Sequence, residues 1–140
     1  TRAMLATLIY RMAGEPTVTG SASFTDVTAG QWYTDGITWA SQQGVVQGIG
    51  NGRFDPDGAI TREQLAVMLY RYADGETASA DMSRFQDSAS ISDWALEAMN
   101  WAVAQGILSG NDQGLLNPGS IASRAEVATM LMRFVENSAA

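Results

Sequence analysis

The chain has 140 residues, 46% of them hydrophobic, with a net charge of −7 and no Lys, Cys or His. This length and apolar content suffice for one domain, or for a few small repeats sharing a core. The charge excludes a nucleic-acid backbone or an anionic membrane surface as simple electrostatic partners, and the missing residue types exclude a disulfide framework, thiolate chemistry, the commonest general base and the commonest zinc ligand.

In chain order, the first element is a helix. Leu5, Leu8, Ile9 and Met12 recur at i, i+3, i+4 and i+7 and form one apolar stripe. Gly14–Ser23 is rich in small and polar residues and reads as a linker. A short Phe-x-Asp element follows at Phe24 to Asp26. Ile37, Trp39 and Ala40 then predict a helix over Trp32–Gln43, with Gly44 as its left-handed cap. Gly48, Gly50 and Gly52 mark a loop, and "GNGR" a tight turn.

Leu65, Met68, Leu69 and Tyr72 carry the next helix, and Ala73–Arg84 reads as a second linker. Phe85 to Asp87 repeats Phe-x-Asp. Met99, Trp101 and Ala102 predict a helix over Trp94–Gln105, closed by Gly106, and Gly110 and Gly114 lie in the loop beyond. Val127, Met130, Leu131 and Phe134 give the last helix.

These elements are repeats. "QWYTDGITWASQQGVVQG" at residues 31 to 48 matches "DWALEAMNWAVAQGILSG" at 93 to 110. "TREQLAVMLYRY" at 61 matches "SRAEVATMLMRF" at 123 and "TRAMLATLIYRM" at 1. Most matches lie 62 residues apart. The chain thus carries the second half of one repeat, with its linker, over residues 1–22, a second repeat with its linker over 23–84, and a third over 85–140. Because residue 1 falls inside a repeat, the sequence is expected to be a fragment. The expected fold is all-α: helix–loop–helix repeats in one integrated, pseudo-threefold domain, with the three second helices as its core. The Met and aromatic stripes read as that core, and no cofactor or metal site is expected.

Thr61-x-x-Gln64 and Ser123-x-x-Glu126 fit the capping box, whereas Met4 leaves the first copy incomplete. Arg2, Arg62 and Arg124 each follow the cap residue, where the helix dipole disfavours a cation. One account is a salt bridge to a carboxylate such as Asp57 or Asp26. The other is an anion socket, in which free helix N–H groups and a planar guanidinium together hold a carboxylate or phosphate. Trp32 and Trp94 open the first helices, where an indole can stack on a sugar ring or pack at a helix end.

Phe-x-Asp, a Trp opening a helix, a Gly-Val/Ile and Gly, Gly-x-Phe-x-Pro and Ile-Thr-Arg-Glu, in that order, resemble the S-layer homology family. The resemblance covers about two and a half repeats. It implies three repeats in a pseudo-trimer, secreted to the bacterial cell surface, which anchor proteins non-covalently to the wall of Gram-positive bacteria. The implied ligand is a secondary cell-wall polysaccharide bearing pyruvate ketals, held in grooves between repeats. The family's ligand-binding positions fall on Arg2, Arg62 and Arg124, on Trp32 and Trp94, on Asp26 and Asp87, and on Gly48 and Gly110. Ala122-Ser123 and Leu116-Asn117 depart from the family pattern in the third repeat, and the groove that needs the missing first half-repeat is expected to be incomplete.

Two other readings compete. A structural assembly module would use the repeats for protein–protein packing or self-association. An enzyme would need paired carboxylates, and Asp55, Asp57, Asp81 and Asp87 are the candidates. "DPDG" lacks the twelve-residue calcium pattern, and "GIGNGR" lacks the Lys-Ser/Thr of a phosphate loop. These carboxylates read as turn formers, so no enzyme is expected.

Overall fold

A computed structural model describes residues 1–20, 24–75, 80, 82, 85–111 and 113–138. Parts of both linkers, and Asp81, lie outside the described residues. The regular elements are helices, as expected, distributed over two compact units. Thr1–Ala59 holds α1 (Arg2–Met12) and α2 (Thr34–Gln42). Ile60–Ala140 holds α3 (Arg62–Ala73), α4 (Leu96–Ala104) and α5 (Arg124–Ser138). The division falls inside the second repeat, not between repeats.

Capping chemistry sets the helix ends. The Thr61 hydroxyl accepts from the Gln64 N–H at 3.2 Å, and the Gln64 amide oxygen accepts from the Thr61 N–H at 2.9 Å. Ser123 and Glu126 repeat the exchange at 3.1 and 2.9 Å. The Met4 expectation needs correction. Thr1 accepts from the Met4 N–H at 3.1 Å, and the Met4 sulfur stands 3.8 Å from the Thr1 nitrogen, so a weak thioether acceptor closes the box.

At the other end, Gly44 and Gly106 both take φ +74°. Val45 N–H reaches Ala40 O and Ile107 N–H reaches Ala102 O, each at 2.9 Å, which completes a Schellman motif in both copies. α2 and α4 begin later than their periodicity predicts. The Thr34 hydroxyl donates to Thr28 O at 2.7 Å and accepts from Gln31 N–H at 2.9 Å, which keeps Trp32 in a turn before α2. Trp94 lies in a 3₁₀ turn, Asp93–Ala95, ahead of α4.

Packing joins each second helix to the first helix of the repeat that follows. α1 lies against α2, and α3 against α4. Sequence alone predicted the second helices packed on one another. A Cβ on Gly36 would stand 3.0 Å from Thr7 Cα at the α1–α2 crossing, and its sequence counterpart on α4, Ala98, is small and buried. One turn on, Tyr10 packs on Trp39 at 5.7 Å between ring centroids, and Tyr70 on Trp101 at 5.5 Å. Leu5, Ala6, Ile9 and Ile37 are buried in one unit, and Leu65, Ala66, Leu69 and Met99 in the other. α5 joins through Phe134, whose ring lies 6.0 Å from Tyr72 and 6.2 Å from Trp101.

A carboxylate clamps each long loop. Asp26 accepts from the N–H groups of Phe54 and Asp55, both at 2.8 Å, and Asp87 from those of Leu116 and Asn117 at 2.9 and 2.7 Å. Burial pushes the Asp26 carboxyl up, but those two N–H groups and the Arg53 guanidinium outweigh it, so its pKa lies below the ordinary carboxylate value. In the C-terminal unit, buried Glu63 on α3 accepts from Ser92 N–H at 3.0 Å and from the Ser92 hydroxyl at 2.7 Å, fixing the turn that carries Trp94.

Two outcomes follow. The Asp26 contribution to stability is complete above the unfolded-state pKa of about 4 and disappears as pH falls through the lower folded value. Urea titrations from pH 7 down to pH 3 should therefore show an acid-dependent loss that is smaller in Asp26→Asn. Glu63→Ala leaves half-buried donors on Ser92 without their acceptor and should cost about 1 kcal/mol or more. Chemical denaturation measures the cost, and Trp94 fluorescence should report a loosened turn in the folded variant.

Candidate functional site

Two clefts in the C-terminal unit gather the candidate side chains. The first, of about 250 Å³, lies between α5 and the loop after α4. Arg62, Gly110, Asn111, Glu126, Thr129 and Arg133 line it. The second, of about 270 Å³, lies beside the α3–α4 contact and is lined by Tyr70, Arg71, Asp93, Trp94 and Glu97. The structure thus places Trp94 with Arg71, and Arg62 in the other cleft.

The expected anion sockets are closed at α1 and α3. Arg62 N–H donates to Ser120 O and Glu63 N–H to Pro118 O, both at 3.0 Å. Arg2 N–H donates to Gly58 O at 2.8 Å and Ala3 N–H to Pro56 O at 2.9 Å. A backbone loop has taken the donors that an anion would need. The Arg2 side chain is also engaged: its Nε donates to Phe54 O and its Nη2 to Gln47 O, each at 2.9 Å, with the guanidinium 4.7 Å from the Phe54 ring centroid. Burial lowers the Arg2 pKa, while Asp55 and Asp26 oppose that shift.

Arg62 differs. Its side chain is 16% exposed and forms an ion pair with Glu126, in place of the Asp57 or Asp26 considered from sequence. Its Nε is buried with no hydrogen-bond partner among the described residues. Among the described residues, Arg133 Nη1 reaches the Ser109 hydroxyl, at a long 3.4 Å. Among the described residues, the first cleft therefore gathers two guanidinium groups and one carboxylate, in an acidic chain. Arg124 is exposed at the start of α5. Neither it nor the N–H groups of Arg124 and Ala125 have a partner among the described residues.

Trp32 and Trp94 are the broadly exposed indoles, at 60% and 58%. Trp32 packs edge-on to Tyr33 at 5.2 Å. Asp26 and Asp87 serve as loop clamps, as described above. Gly48 and Gly110 answer to packing: a Cβ on Gly48 would lie 2.6 Å from Arg53 O, and one on Gly110 2.9 Å from the Phe85 ring. Gly110 also lines the first cleft. Among the described residues, no group of His, Cys, Asp or Glu could hold a metal ion, and no helix is long and apolar enough to cross a membrane.

Sequence reasoning missed Arg71 and Arg133. The signal was present: Arg11, Arg71 and Arg133 each follow the motif Arg by nine residues, so these two repeated positions hold six of the eight arginines.

Comparison with known proteins identifies the repeats. The pattern of the S-layer homology domain matches residues 23–66 and 84–128. A surface-layer 125 kDa protein of Lysinibacillus sphaericus is 32% identical over 94% of this chain and 11% of its own length. An amylopullulanase of Thermoanaerobacterium thermosulfurigenes is 33% identical over 99% of the chain and 8% of its own length. A cellulosome-anchoring protein of Acetivibrio thermocellus is 25% identical over 83% of the chain and 26% of its own length. The chain thus spans about a tenth of the first two relatives. Two tandem matches, on repeats whose caps, clamps and helix crossings the structure shows to be equivalent, establish that this chain belongs to the S-layer homology family.

Proposed function

We propose that this chain is a non-covalent anchoring module of the bacterial cell surface that holds an acidic, pyruvylated secondary cell-wall polysaccharide. The observation that carries the reading is the first cleft, where Arg62 and Arg133 concentrate positive charge in a chain of net charge −7. Bulk attraction to a polyanion is absent, so recognition must be local and geometric. A ketal carboxylate would meet the Arg133 guanidinium and compete with Glu126 for Arg62. Asn111 and Thr129 supply hydrogen-bonding groups for ring substituents.

Trp94 offers an exposed face for a further sugar beside Arg71 and Glu97, and Trp32 offers the same in the N-terminal unit. In this reading Asp26, Asp87, Gly48 and Gly110 shape the loops, Arg2 ties one of them down, and the chain performs no chemistry of its own. Its relatives include an anchoring protein and enzymes of which it spans a small share, as a shared attachment module would.

A second reading, a protein–protein module of a surface array that self-associates, draws on the exposed Met132 and Val135 of α5. Static light scattering separates the two, since concentration-dependent mass growth without polymer favours assembly.

Isothermal titration of the purified wall polymer, with and without its pyruvate, tests the main reading. Losing one charge-assisted contact costs about 1.5–3 kcal/mol, so Arg62→Ala and Arg133→Ala should each weaken binding about tenfold or more. Trp94→Ala should weaken binding less, and higher salt should weaken it throughout. Undiminished affinity in the Arg62→Ala, Arg133→Ala double variant would sink the reading.

A further inference from the structure

Arg2 and Arg62 start from the same scaffold and end in different places. The first two N–H groups of α1 reach Gly58 O and Pro56 O, and those of α3 reach Ser120 O and Pro118 O, the same loop positions one repeat later. The loops themselves match: Ile49 N–H donates to Arg53 O at 2.8 Å, and Asn111 N–H to Leu115 O at 2.9 Å. Within this frame Arg2 Nε donates to Phe54 O and its Nη2 to Gln47 O. The positions equivalent to those two acceptors are Leu116 and Ser109. Among the described residues, no backbone N–H reaches Leu116 O or Ser109 O. Arg62 makes neither bond. Its Nε stays buried and unsatisfied among the described residues, and its Nη1 pairs with Glu126.

Two differences between the copies account for this. The Phe54 ring, 4.7 Å from the Arg2 guanidinium, is replaced by Leu116, which removes the cation–π attraction. Glu126 supplies a carboxylate to Arg62, whereas Arg2 has no ion pair among the described residues. A buried N–H without an acceptor is costly, and two open carbonyls in the place that Arg2 uses would remove that cost. The pull of Glu126 keeps Arg62 away from them.

We infer that Arg62 has two berths, one on Glu126 and one on the carbonyls of Ser109 and Leu116, and that Glu126 decides between them. In the second berth Nη1 is released toward the first cleft, which Ser109 and Arg133 also line. A carboxylate entering that cleft displaces Glu126, and the loop carbonyls then take up Nε and Nη2, which offsets part of the lost ion pair. Glu126 is thus a competitor held inside the site, and it sets how strongly an anion must bind in order to enter. The berths belong to the free protein, while their effect on binding rests on the function proposed for the first cleft.

Glu126→Gln isolates the carboxylate. An amide can keep the capping bond to Ser123 N–H, as Gln64 does with Thr61 N–H. The readout is the scalar coupling across the hydrogen bond, from Arg62 ¹⁵Nε to Leu116 ¹³C′, in the uniformly labelled chain without ligand. The coupling from Arg2 to Phe54 is the control in the same spectrum. Wild type should show the control alone, and Glu126→Gln should show both. No Arg62 coupling in the variant, or couplings of equal size in wild type, overturns the inference. Isothermal titration with the purified wall polymer is the second arm. Glu126→Gln should tighten binding about two- to fivefold, the worth of a partly exposed ion pair. Unchanged or weaker binding in a variant that shows the coupling overturns the competitor role. A wild-type chain that ignores the polymer sinks the function proposed for the cleft, and the berths are then decided by the spectrum.

Discussion

The structure depends on one contact: a second helix crossing the first helix of the next repeat over a small residue, with a tyrosine on a tryptophan one turn along. Gly36 brings α2 close to Thr7 of α1, and α4 lies against α3 with buried Ala98 at the equivalent sequence position. Tyr10–Trp39 and Tyr70–Trp101 then lock the rotation of the pair. Because this contact reaches across the linker, the unit that packs is not the unit that repeats in sequence. One candidate cleft lies on its flank, beside Trp94. The turn bearing Trp94 is held to α3 by Glu63, and the loops that cap α1 and α3 follow the helices that lie against them.

Electrostatics is handled locally. With eight cations against fifteen acids, the chain cannot neutralise itself, and several charged side chains among the described residues have dedicated hydrogen-bond partners. Asp26 and Asp87 spend their carboxylates on backbone N–H groups, and Arg2 spends its guanidinium on carbonyls and a phenyl face. The guanidinium groups of Arg62 and Arg133 remain close to an open cleft. Equivalent motif positions have thus diverged: Arg2 is a brace, Arg62 is half-committed, and Arg124 is exposed.

Much of the local structure was legible. Thr61-x-x-Gln64 announced its capping box, Gly44 and Gly106 their left-handed caps, and Leu65, Leu69 and Met68 their buried stripe, because each depends on residues within one or two turns. The exposure of Trp32 and Trp94 was legible too, from their place at the helix opening. The start of α2 was less so, since the Thr34 hydroxyl diverts the backbone two residues later than periodicity implies. The loop-clamping contacts of Asp26 and Asp87 were not legible, because their partners lie 28 to 30 residues away.

By itself, the sequence determined the helical class, the repeat, the caps and the family, since all of these follow from short-range spacing and from the chain's likeness to itself. Only the tertiary structure decided which helix covers which, that a loop consumes the N–H groups of α1 and α3, and that Arg62 pairs with Glu126 while Trp94 shares a cleft with Arg71. The reason is physical. A helix start displays the same four free donors in any sequence, and what satisfies them is chosen by packing between segments far apart along the chain.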